Sequence, residues 1–256
     1  MSLFPPSPPG IYEYTEVLTF HFLDPLVPPA LSDESADVGK VWAFTLKTYL
    51  ELDKTGIVYW TLVHGCPQRA KLFIDWKMEL GREEFMSSLE LGNLSMAWNS
   101  VISEPVHSAI YRLPWGGHRG HPGLNSSYDT VSTFITFNFP IVVIGEDKKK
   151  LGQLISQFAR SILQSPGGVV SSYCTTGWGV NSTLCCGIFR YIGIKEMQSF
   201  LQQNRLFEEL RSVANGTEVE FMEVRCYDHG WQGSVDKTYP ENLAFFASIG
   251  KLGWTT

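Results

Sequence analysis

Hydrophobic and polar positions alternate through residues 16–22: Leu18, Phe20 and Phe22 point one way, and Val17, Thr19 and His21 the other. A period of two predicts a strand with two different faces. From about residue 38 to 52 the period becomes helical, with Val38, Val41, Trp42, Thr45, Leu46 and Tyr49 on one side and Gly56 expected to end it. Residues 57–63 are rich in β-branched and aromatic side chains and read as a second strand. Gly65 and Pro67 break the chain. Residues 71–78 then alternate again, Leu72, Ile74 and Trp76 against Phe73, Asp75 and Lys77. A second helix is expected after Gly81, carrying Phe85 and Leu89, with its end blurred by Gly92; residues 107–113 read as a fourth strand.

The same order then recurs. Residues 132–139 read as a strand. Residues 149–163 read as a helix, with Leu151, Leu154, Ile155, Phe158 and Ile162 at helical spacing before Pro166 and Gly167. Residues 169–175 and 183–191 are expected to pair across a loop holding Gly177 and Gly179. A helix over 195–213, ended by Asn215 and Gly216, and a strand over 218–227 complete the cycle. The first strands of the halves match best, Thr19-Phe20-His21-Phe22 against Thr136-Phe137-Asn138-Phe139. A period of this length predicts a duplicated small domain rather than a solenoid. The expected organisation is a Pro-rich tail (1–14), a first repeat (15–113), a Gly/Pro linker (114–128), a second repeat (129–228) and a C-terminal tail (229–256).

Composition narrows the function classes. The chain has 256 residues, 44% hydrophobic and 18% charged, enough to bury a core. Aromatic content of 13% suits either ordinary packing or a large apolar pocket. A net charge of -6 without a basic stripe argues against nucleic acid. No apolar run is long enough to span a membrane, and the first ten residues lack the pattern of a signal peptide. The five cysteines show no CxxC pair, so they read as reduced thiols in a cytoplasmic protein with no metal site. No P-loop, GxSxG, HExxH or GxGxxG motif is present.

The order β-α-β-β-α-β is the ferredoxin-like split motif. On this order, seen twice, the chain resembles the dimeric α/β-barrel superfamily, which includes antibiotic-biosynthesis monooxygenases, polyketide cyclases, stress-responsive and haem-binding proteins. The resemblance implies an α+β fold of two tandem ferredoxin-like repeats forming an intramolecular dimeric α/β barrel, either a monomer (a pseudo-dimer) or a homodimer. A strand in such a fold shows one side to its helices, so polar residues on the other side are candidates for function.

His21, on the face opposite Leu18, Phe20 and Phe22, is the leading candidate for a general acid or base. Its position resembles that of the first-strand histidine of cyclase members, and the second half has Asn138 there. The plain alternative is a hydrogen-bonded core histidine. His107 and Tyr111 share a face of the fourth strand, and His64 sits at a strand end beside Gly65. Candidates for substrate binding are Thr19, Tyr59, Trp60, Asp75, Trp76 and Asn138; Tyr59 and Trp60 lie on opposite faces, so one of them lines a pocket whichever face is inside, and for Asp75 an ordinary ion pair is the alternative. Glu223 and Arg225 share a face of the last strand. His118 and His121 lie in the linker and His229 beyond the last strand. The expected function is cofactor-independent cyclisation, isomerisation or elimination of a hydrophobic biosynthetic intermediate by histidine acid/base catalysis. The rivals are a cofactor-free monooxygenase, a haem protein with His21, His64 or His107 as axial ligand, and a non-enzymatic protein that holds a hydrophobic ligand.

Overall fold

The alternation at residues 16–22 becomes β1 (Tyr14–His21), and the helical period after it becomes α1 (Asp37–Glu51). The computed structural model describes residues 14–25, 36–113, 131–140, 142–167, 175–180 and 183–227. These residues form eight strands and six helices, an α+β fold whose ladders are antiparallel. The chain divides into two units, built on Glu16–Ser108 and on Ala109–Val224. No described helix is long and apolar enough to cross a membrane. The Pro-rich tail, the 114–128 linker with His118 and His121, and the tail with His229 lie outside the described residues, as do the side chains of Glu223 and Arg225.

In the first unit β2 (Thr55–Val63) and β3 (Cys66–Trp76) form a hairpin, closed by His64 and by Gly65 at φ 77°. A positive φ costs glycine nothing, which is what a two-residue hairpin turn needs. The strands run in the order β1-β3-β2. The expected second helix is two, α2 (Glu79–Met86) and α3 (Leu89–Trp98), because Ser88 caps α3 by accepting the Leu91 N–H at 3.2 Å. Gly92 therefore lies inside a helix, and Gly56 lies inside β2 rather than ending α1.

All three helices pack on one face of this sheet. Trp42 of α1 meets Phe20 edge-on at 5.3 Å and Trp60 at 5.8 Å. Trp98 of α3 meets Phe20 at 5.3 Å, and Phe85 of α2 meets Trp76 at 5.7 Å. Edge-to-face rings contribute beyond their buried area. Glu16 is buried on the same side. Its Oε2 accepts Trp76 Nε1–H at 2.9 Å, and its Oε1 accepts from Arg82 Nη2 at 2.8 Å and Ser108 Oγ at 2.6 Å.

The second unit contains β5 (Val131–Asn138), α4 (Gly145–Gln164), β6 (Thr175–Gly179), β7 (Leu184–Tyr191), α5 (Ile194–Gln203), α6 (Arg205–Val213) and β8 (Gly216–Tyr227). The boundary between the units falls within β4 (His107–Arg112), and the strand order here is β8-β5-β7-β6-β4. The helix expected over 195–213 is split at Asn204, whose Oδ1 accepts the Phe207 N–H at 3.0 Å and starts α6. Gly177 and Gly179 are not a loop but part of β6. A side chain at Gly177 would collide with the Arg112 carbonyl, so glycine is what lets β4 lie against β6.

Phe158, Phe189, Phe137 and Phe207 interlock to form this unit's core. Thr133 is fully buried, opposite Phe189 and Phe221 of that core, and its hydroxyl finds no hydrogen-bond partner among the described residues. An unmade buried hydrogen bond is destabilising. Thr133→Val, nearly the same shape, is expected to raise stability by about 1 kcal/mol. The check is a higher urea midpoint at unchanged slope.

Candidate functional site

Helices occupy one face of the β1-β3-β2 sheet, and the other face holds several buried polar groups. Alternation places Lys71, Phe73 and Asp75 of β3 there, because Leu72, Ile74 and Trp76 turn the other way. Thr61 stands opposite Lys71 and Tyr59 opposite Phe73. On the β1 side, Lys71 Nζ donates to Thr19 Oγ1 at 2.9 Å. The Phe22 N–H donates to the Gln68 carbonyl at 2.8 Å, and an antiparallel step inward from there sets Val17 beside Phe73.

The face is therefore layered. One row is Thr61, Lys71 and Thr19: an ammonium flanked by two hydroxyls. The next is Tyr59, Phe73 and Val17, which is aromatic and apolar. Asp75 follows. These groups are withdrawn from water: Lys71 is 5% exposed, Asp75 1% and Tyr59 1%. Charged side chains are almost never this buried unless partnered, and neither Lys71 nor Asp75 is without a partner. A cation in such a setting interacts with a nearby anion far more strongly than in water.

The sequence candidates fall out as follows. Thr19, Tyr59 and Asp75 lie on this face. Trp60 and Trp76 do not: Trp60 packs on Trp42, and Trp76 packs on Tyr49 and Phe85 and donates to Glu16, so both belong to the helix-side core. His21 shares the face of Thr19 but stands at the end of β1. Its side chain is 31% exposed, with Nδ1 2.5 Å from Glu104 Oε1. His64 is exposed in the hairpin turn, and His107 is exposed at the start of β4. The three described histidines thus lie at or near the surface, which does not suit a buried axial haem ligand. Asn138 is exposed at the end of β5.

Tyr111 belongs to the second unit. It is buried and meets Phe134 edge-on at 6.1 Å. Burial pushes its phenol well up, and the thiols of Cys186 and Cys185 and the carboxylates of Glu218 and Glu220 add to the shift, so it remains a donor at neutral pH. Burial likewise pushes up the thiols of Cys185 and Cys186, which keeps them protonated and unreactive. Lys71 and Thr61 were not among the sequence candidates. The signal was present, since the 71/73/75 alternation places Lys71 on the same face of β3 as Asp75.

Neither a protein-family model nor a curated protein sequence matches the chain. Solved structures do. A proposed monooxygenase from Fusobacterium nucleatum aligns over 85% of this chain and 95% of its own, with a TM-score of 0.53 at 9% identity. Another proposed monooxygenase, from Lactobacillus acidophilus, covers 85% and 96% with a TM-score of 0.50 at 9% identity. A protein described as anthrone oxidase-like covers 87% and 96% with a TM-score of 0.59 at 13% identity. The chain shares their fold. That is the fold to which the sequence resemblance pointed, and at these identities the likeness transfers no residue's role.

Proposed function

We propose that the protein oxidises a hydrophobic, electron-rich aromatic molecule of the phenol or anthrone class with dioxygen, without a bound cofactor. The observation that carries this reading is Lys71, an ammonium buried beside the Thr19 hydroxyl and bordered by Tyr59 and Phe73. Such a group holds the oxygen of a phenolate or enolate where water cannot compete. The anion is the species that reacts with dioxygen, by giving up one electron and then combining with the reduced oxygen. A CH2 flanked by aromatic rings becomes C=O; one oxygen atom enters the product and the other leaves as water with the two hydrogens. No reductant is required. The shared fold with proposed monooxygenases and with an anthrone oxidase-like protein supports the same reaction class.

The test is an oxygen electrode with 1,8-dihydroxyanthrone as substrate. We expect uptake well above the spontaneous rate, one dioxygen per quinone formed, with neither reductant nor flavin added. Substrate loss without oxygen uptake would sink this reading.

A second reading has a specific support, the His21–Glu104 pair. A carboxylate that orients an imidazole suits proton transfer, and hence cyclisation or isomerisation. That reading requires turnover under argon and its loss in His21→Ala.

We also propose that the two units descend from one β-α-β-β-α-β module. The support is strand order: β1-β3-β2 in one unit and β5-β7-β6 in the other.

A further inference from the structure

We infer that the outer face of α2 and α3 is a docking surface for a cationic amphipathic helix of a partner protein. The inference goes beyond the oxidation reading and uses none of its residues.

Exposed apolar side chains carry it first. Leu89 and Met96 of α3 are 78% and 74% exposed. Their spacing sets them on one face of the helix, two turns and roughly 10 Å apart. Gly92 lies between them on that face, and a Cβ there would meet no neighbour within 4 Å, so the stripe dips at its middle. Met86 ends α2 one turn before Leu89, and Leu80 and Met78 are exposed at the other end of α2. Exposed apolar side chains gathered in one stretch, rather than scattered singly, mark an interaction surface. Methionine adds the flexibility to follow a partner's shape.

The fold does not require such a face. In the second unit α5 and α6 come between β7 and β8, as α2 and α3 come between β3 and β4. Their exposed positions are polar, Lys195, Gln198, Gln202, Arg205 and Glu209 among them, with Val213 the exception at the end of α6.

Charge then selects the occupant. Glu79, Glu83 and Glu90 are exposed on the same two helices and make no ion pair among the described residues. The neighbouring cations are engaged: Lys54 with Glu84, Arg82 with the buried Glu16, and Lys77 with the Asp53 carbonyl. The rim is therefore negative. It would repel an anionic lipid surface. A second copy meeting this face with its own would set the same carboxylates against each other. A helix with an apolar stripe flanked by Lys or Arg satisfies both the stripe and the rim.

The probe is a fluorescein-labelled peptide of leucine and lysine, about 18 residues long, with leucines at helical spacing on one face. In anisotropy titrations wild-type protein should bind it, and should bind the same peptide with glutamate for lysine at least about tenfold more weakly. Leu89→Ser/Met96→Ser should weaken the lysine peptide by about tenfold or more. Glu79→Gln/Glu83→Gln/Glu90→Gln should weaken it at low salt and flatten its dependence on sodium chloride. These side chains are exposed, so circular dichroism and melting of both variants should match wild type. Absence of binding, or binding that neither set of substitutions weakens, overturns the inference. A dimer in sedimentation that Leu89→Ser/Met96→Ser dissolves assigns the face to a second copy and overturns it too. Flotation with phosphatidylcholine vesicles, lost in that same variant, does so in favour of a lipid surface.

Discussion

Lys71→Met is expected to lower kcat for oxygen uptake by about 100- to 1000-fold, the usual cost of removing one donor from an oxyanion site. KM should change less, because the ammonium acts on charge that develops as the substrate ionises. The fold should survive. Methionine follows the lysine stem closely and fills irregular space, and replacing a buried charge by an apolar group is often neutral or stabilising. Circular dichroism and a melting curve close to wild type, together with lost uptake, would establish a chemical rather than a structural role. Thr19→Val removes the acceptor of the lysine's 2.9 Å hydrogen bond and should give a smaller loss in the same direction. A Lys71→Met variant that consumes oxygen at the wild-type rate would remove the central support of the oxidation reading.

The second large effect is on stability. Glu16→Ala should destabilise the protein by about 3 kcal/mol, the low end of the range for breaking a buried ion pair. The low end applies because the Arg82 side chain retains 18% exposure and can recover some hydration. The loss exceeds one ion pair's worth of contact, since it also strips the acceptor from Trp76 Nε1–H and Ser108 Oγ–H. Glu16→Gln keeps an acceptor and should cost about half as much. Urea unfolding of both variants and of Glu16→Ala/Arg82→Met measures this. If the double variant is no more stable than Glu16→Ala, the unpaired guanidinium is not the main cost.

How far these residues were readable from the chain differs case by case. Periodicity assigns a face but not a depth. It correctly set His21 opposite Phe20, yet it could not say that His21 ends its strand, 31% exposed beside Glu104. Tyr59 and Trp60 shared one expectation, that one of them faces the site. Tyr59 lies on the face turned away from the helices, because Trp60 is drawn onto Trp42 of α1. The helix breaks were written in small polar residues, Ser88 and Asn204, but the apolar spacing continues across both, so the longer pattern concealed the caps. Gly177 read as a loop because a glycine pair usually is one. Its actual reason is the backbone of β4, 65 residues earlier in the chain.

By itself the sequence determined the order of strands and helices, which face of each strand is apolar, and the reaction classes its missing motifs disfavour. These are local properties, set by side-chain period and turn chemistry within a few residues. Tertiary structure decided which polar groups on those faces lose their water and which meet. Lys71 reaches Thr19 across 52 positions, and Glu16 gathers Trp76, Arg82 and Ser108 from three later segments. Burial and partnership of charges depend on chain segments distant in sequence, and no local pattern encodes them.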